Sequence, residues 1–88
     1  FEVDGALAVY RRAASDHPRG PQRDRLLLGI GLLLLRAKNR PTTAYQYLLD
    51  VLDVQPAPSA ENAATAREAL AEIARMQKLS FNTRGRPN

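Results

Sequence analysis

The chain contains one histidine, His17, next to Asp16. A working imidazole needs an orienting carboxylate and a pocket for substrate. Pro18 follows at once, so His17 reads instead as a surface residue or one placed at the C-terminal end of a helix dipole. Asp50 and Asp53 stand i,i+3 and could share a helix face, the spacing of paired carboxylates that act as acid and base or hold a metal. No histidine or glycine-bearing ligand loop accompanies them, and they read as solvated. Glu68 and Glu72, followed by Arg75, suit the polar outer face of a helix. Ser15, Ser59 and Ser80 have no base beside them, so no nucleophile is expected. Gly29-Ile30-Gly31 lies inside an apolar run rather than between a strand and a helix, and forms no phosphate loop. With no cysteine, disulfides, thiolate metal sites and thiol catalysis fall away. No enzyme activity, metal or cofactor is expected.

The basic residues are the other source of chemistry. Arg11 and Arg12, then Arg19, Arg23 and Arg25, then Arg36, Lys38 and Arg40 gather at helix ends and links, and Arg84 and Arg86 flank Gly85. The net charge is +4 and the pI about 10.1. Such a surface can neutralise nucleic-acid phosphates. Aromatic partners on which bases could stack are few: Phe1, Tyr10, Tyr45, Tyr47 and Phe81. Contact with nucleic acid is therefore the alternative reading, and a solvated arginine-rich surface the plainer one.

The elements that carry these residues follow from punctuation by proline and glycine. At 88 residues, 44% apolar and 25% charged, the chain is one domain or a piece of one. Ala, Leu, Arg and Glu dominate, and no period-two alternation appears, so the fold is all-α with about four antiparallel helices. Asp4 caps a first helix over about 5–16. Pro21 opens a second over 21–38, with Arg36 and Lys38 favourable in its last turn. Pro41 breaks it, and Thr42 or Thr43 starts a third helix reaching 54, stopped by Pro56 and Pro58. Ser59 caps a fourth over 60–79. The tail 80–88 has no apolar period and reads as a flexible basic tail.

The second segment contains LLLGIGLLLL, Leu26 to Leu35, between Arg25 and Arg36. Ten apolar residues make about 15 Å of helix, whereas crossing the hydrocarbon takes about 30 Å. Charge meets the run on both sides, so it reads as a core helix covered by its neighbours and not as a membrane span. The N-terminus has no signal-peptide pattern, because Arg11 and Arg12 interrupt it. The chain does not begin with Met, which suggests a trimmed fragment. Nothing in the sequence fixes a compartment.

The first and third helices share a pattern. Ala6, Tyr10, Ala13 and Pro18 match Ala44, Leu48, Val51 and Pro56 at spacings of four, three and five, with an offset of 38 throughout. The first three members of each set share a helix face. The pattern resembles the second helix of a tetratricopeptide repeat, Ala-x3-aromatic and then Pro, with Leu48 in place of the aromatic; the turn Asn39-Arg40-Pro41 is similar to the link within such a repeat. Leu28-Gly29-x2-Leu32 echoes the first-helix signature, without its Trp and Tyr. Either Gly29 or Gly31 would be the small first-helix residue, and the offset exceeds the family's usual period of about 34. Arg19 to Gln22 could hold the excess.

The resemblance implies a fragment of a right-handed superhelix, about one and a half repeats with a closing helix, and a role as a non-enzymatic scaffold. Stacks of this kind need about three repeats, so flanking repeats, a second copy or a partner should complete it. The expected ligand is a protein or peptide, a helix or an extended segment, docking in a groove between stacked helices. Leu26, Gly29, Leu33 and Arg36 share an approximate face of the second helix and are the candidate partner-binding residues, while Leu28, Leu32 and Leu35 would pack inward. Burial against a neighbouring repeat is the competing use of that face. The Lys and Asn clamp with which some family members hold a peptide carboxylate is not reproduced, since Gly29 and Leu33 stand there.

Overall fold

The computed structural model describes residues 2–16 and 22–84, with side chains as far as residue 77. Four helices pack together: α1 (Glu2–Asp16), α2 (Arg23–Leu32, continued as a π-helical turn over Leu33–Ala37), α3 (Pro41–Leu52) and α4 (Ala60–Arg84). No strand occurs among the described residues. No helix among them is long and apolar enough to cross a membrane.

α2 is the hub, packed against α1, α3 and α4, and α3 lies between α2 and α4. The apolar run explains this. α2 buries Leu27, Leu28, Ile30 and Gly31, and the turn that continues it buries Leu34 and Leu35. Only a helix covered on several sides can hide so much of its circumference. Of the three leucines expected to pack inward, Leu28 and Leu35 are buried and Leu32 is half-buried. α3 contributes Ala44, Leu48 and Val51, all at 0% exposure. α4 turns Ala63, Ala66, Ala69 and Ile73 to the core. Small side chains along that stripe let a long helix lie close to its neighbours.

The pattern shared by α1 and α3 is seated unequally. Tyr10 of α1 and Leu48 of α3, equivalent across the 38-residue offset, each lie against a glycine of α2. A Cβ built on Gly29 would stand 3.2 Å from Tyr10 Cε2, and one on Gly31 would stand 2.8 Å from Leu48 Cδ2. Ala44 is fully buried, whereas Ala6 and Ala13 are only half-buried. In α1 the buried positions are Leu7 and Ala14, one residue further along than the shared pattern would have them.

Several helix ends differ from the sequence reading, each for a local reason. α1 begins at Glu2, which puts Asp4 inside its first turn rather than at the cap. There the carboxylate meets the Lys38 ammonium at 2.8 Å, so Lys38 pairs with α1 besides lying at the end of its own helix. Pro41 does not stand outside α3 but opens it. Its fixed φ suits a first helical position, where no N–H is required. α4 runs to Arg84, beyond the expected end at Leu79. Ser80 to Arg84 contain no breaker, and the next is Gly85. The stretch 80–84 is therefore helical rather than tail. The expected N-cap Ser59 is in place, its Oγ accepting from the Asn62 N–H at 3.1 Å. His17 and the link 17–21, with Pro18, Arg19, Gly20 and Pro21, lie outside the described residues, as do 85–88.

The end of α2 departs furthest from ideal spacing. The Lys38 N–H donates to the Leu33 carbonyl, five residues back, at 3.1 Å, and the Arg40 N–H to that of Leu34 at 2.7 Å. Asn39 follows with φ of 52°, the left-handed conformation that ends helices and that Asn tolerates. The wide turn holds one residue more than an α turn. From Leu33 onward, side chains point away from the directions that 3.6 residues per turn would give them.

Candidate functional site

Leu26, Gly29 and Leu33 are half-buried on α2, and Arg36 is exposed beyond the start of the π turn. Two of the four are committed to different neighbours. Gly29 seats the Tyr10 ring of α1. The Arg36 guanidinium reaches α4, where its Nη1 lies 3.1 Å from each carboxylate oxygen of Glu72. The shared face assumed straight α-helical spacing, and the wide turn rotates Arg36 out of that register. Leu26 and Leu33 remain as partly exposed apolar positions on the hub helix. Glu72, expected on an outer polar face, serves as a link between α4 and α2.

A second arrangement lies where the C-terminal halves of α1 and α3 flank the first turns of α2. A cleft of about 240 Å³ opens there, floored by Ala14, Leu27 and Ile30. Around it stand Arg11 and Ser15 from α1, Arg23 from α2, and Tyr47 and Asp50 from α3. Arg23 is fixed by donating from Nη1 to the Ala14 carbonyl at 2.7 Å, which satisfies an acceptor near the end of α1. The Arg11 guanidinium carbon lies 6.0 Å from the centre of the Tyr47 ring, at the outer reach of a cation–π contact. This contact joins α1 to α3 across the cleft. Sequence reading placed Arg11, Arg23, Tyr47 and Asp50 in separate groups. Their convergence depends on α1 and α3 lying side by side on α2, which spacing within a single helix does not encode.

A third feature, also missed, is the carboxylate of Asp24 in the first turn of α2, only 7% exposed. Its Oδ2 accepts the Ser59 N–H at 2.9 Å and the Asn62 Nδ2 at 3.0 Å, both at the start of α4. These bonds, Ser59 first and Asn62 second, hold its pKa below the ordinary 3.8 against the opposing effect of burial. Asp24 thus ties the N-termini of α2 and α4, where backbone N–H groups and helix dipoles favour an anion. Every acceptor bond it makes is internal to the fold, so its work is structural. The sequence signal was an acid in a first helical turn, and that signal names no partner 35 residues away.

Asp50 and Asp53 are both exposed. No group of three or more His, Cys, Asp or Glu able to hold a metal occurs among the described residues. Ser15 shares the cleft with Arg11, Arg23, Tyr47 and Asp50 among the described residues. The arrangement sets two guanidinium groups, a phenol and a carboxylate around an apolar floor. No family model matches the chain, and no curated protein or solved structure is detectably similar to it.

Proposed function

We propose that this chain is a non-enzymatic protein-docking module, a tetratricopeptide-like helical unit that holds a partner's helix or peptide against the hub helix α2. The observation that supports the reading is the matched seating of Tyr10 and Leu48, equivalent in the internal repeat, on two glycines of α2. Two similar helices flanking a hub is how a stack of helix pairs is built. The partly exposed Leu26 and Leu33 supply apolar surface on that hub.

The alternative, a basic helical domain that contacts nucleic acid, draws less support. Arg36 and Lys38 are committed to Glu72 and Asp4, and Arg12 lies 3.5 Å from Asp16. Cations engaged inside the chain release fewer counterions on binding phosphate.

A peptide library displayed on phage, selected on the whole chain, tests the docking reading, with Leu26→Asp and Leu33→Asp as counter-targets. Far-UV circular dichroism checks that each variant stays helical. Enriched peptides that bind the wild type and lose at least about tenfold on the variants fit the proposal. Selection that yields no peptide sensitive to either position overturns it.

A further inference from the structure

We propose that the cleft between α1, α2 and α3 receives an acidic side chain of the docked protein, its carboxylate held by Arg11 and Arg23. The inference rests on the docking reading and names the chemistry of the partner. It uses none of Leu26, Gly29, Leu33 or Arg36.

Two guanidinium groups line this cleft, and neither is in an ion pair among the described residues. The ion pairs among the described residues are elsewhere, at Arg12–Asp16, Arg36–Glu72 and Lys38–Asp4. Arg23 gives one N–H to a carbonyl, which fixes the side chain and leaves its charge and other donors available. Arg11 rests over the Tyr47 ring, a contact that orients a guanidinium while sparing its in-plane donors. Guanidinium donors of this kind match a carboxylate closely, and charge-assisted bonds are the strong ones. Beneath them Leu27 is 3% exposed and Ile30 0%, so the floor is dry and apolar. A carboxylate seated there is screened less than one on an open surface.

Size and charge narrow the class of ligand. About 240 Å³ is below the usual range of metabolite pockets and holds one or two side chains. Asp50 is the one carboxylate lining the cleft, and it is in no ion pair with either arginine. Its charge opposes a run of anions, as in a nucleic-acid backbone. It tolerates a single acid, and it can accept an N–H from the peptide that carries that acid. The cleft therefore selects an isolated Glu or Asp flanked by neutral residues.

The test is a two-dimensional NMR titration of the whole chain with acetyl-Ala-Leu-Glu-Leu-Ala-amide and its Gln counterpart. The Glu peptide should move the amides of Ser15, Arg23 and Tyr47 with a dissociation constant on the order of 1 mM. The Gln peptide should bind roughly three- to fivefold more weakly, and Arg11→Gln should cost the Glu peptide the same factor. Asp50→Asn should tighten the Glu peptide by roughly twofold, a gain that a merely structural Asp50 would not give. Equal binding of the two peptides, indifference to Arg11→Gln, or weakening by Asp50→Asn overturns the proposal. Shifts confined to Leu26 and Leu33 overturn it while leaving the docking reading standing. A twelve-nucleotide oligodeoxythymidylate that moves the cleft amides, with no effect of either peptide anywhere, removes both.

Discussion

α1 and α3 carry the same side-chain pattern, yet they hold very different places in the fold. α3 is pressed between α2 and α4, and its Ala44, Leu48 and Val51 have no exposed surface. Among the α-helices, α1 packs closely on α2 alone and meets α3 through side chains such as Arg11 over Tyr47, and its counterparts Ala6, Tyr10 and Ala13 are half-exposed. The lesson is that a packing motif specifies which side chains can meet a neighbour, while the number of neighbours decides how much each side chain is worth. In α1 the buried stripe has moved to Leu7 and Ala14, because one neighbour needs only one contact line. The same asymmetry marks α1 as the helix least tied down. Its amides should exchange with solvent orders of magnitude faster than those of α3, by local opening rather than global unfolding. Hydrogen exchange with equal protection in the two helices would break the comparison.

Truncating the two equivalent side chains should give the largest effect. Leu48→Ala removes a fully buried side chain from a packed core and should cost about 3 kcal/mol, within the usual range for such deletions. That is a large share of the stability of a small domain. Tyr10→Ala removes a half-exposed ring and should cost about 1 to 2 kcal/mol. Urea denaturation followed at 222 nm measures both. Similar losses would mean that α1 is held as firmly as α3.

The clasp at Asp24 should come next, because it helps to fix the cover that α1 lacks. Asp24→Ala leaves the Ser59 N–H and the Asn62 amide without their acceptor and should cost about 2 kcal/mol at neutral pH. The loss should loosen α4 and make α3 behave more like α1 in hydrogen exchange. The pH dependence has a definite sign. A carboxylate whose folded pKa lies below its unfolded value of 3.8 stabilises the fold above that value, and the contribution fades as pH falls through the folded pKa. The gap between wild type and Asp24→Ala should therefore be full at pH 6 and shrink below about pH 3.8. Asp4 is depressed in the same direction by the Lys38 ammonium, but it is exposed, and Asp4→Asn should change little. A gap between wild type and Asp24→Ala that widens in acid would contradict the clasp.

Some of this was legible in the residues and some was not, and the division has a physical basis. Pro41, Pro56, Pro58 and Ser59 act on their own backbone, so the existence of four helices and the cap of α4 could be read directly. The depth of α2 followed from the uncharged, leucine-rich run Leu26 to Leu35. Whether a proline precedes a helix or opens it depends on one φ/ψ pair, and Pro41 fell on the other side. The π turn at Leu33–Ala37 leaves no composition signal, yet it carries Arg36 to Glu72 and dissolves the face on which it was grouped with Gly29. The Asp24 clasp and the Arg11–Tyr47 contact join residues more than 30 apart, and only the packed fold brings them together.

The smallest effects make the sharpest contrast, because two glycines within a single turn of α2 should respond with opposite signs. Replacing a glycine inside a helix by alanine gains about 0.5 to 1 kcal/mol from the backbone. At Gly31 the new methyl would sit 2.8 Å from Leu48 Cδ2 and 2.9 Å from its Cγ. Leu48 is buried on every side and has nowhere to turn, so strain of about 1 to 3 kcal/mol should outweigh the gain. At Gly29 the nearest atom is Tyr10 Cε2 at 3.2 Å, on a half-exposed ring that can swing outward by a few tenths of an ångström. Gly29→Ala should therefore be neutral or stabilise by up to about 0.5 kcal/mol, and Gly31→Ala should destabilise by about 1 kcal/mol. Leu48→Ala should remove the penalty at Gly31, so the double variant Gly31→Ala/Leu48→Ala should be more stable than Leu48→Ala alone. If both alanines cost the same, the joint with α1 is as tight as the joint with α3, and the unequal seating of the two helices is lost.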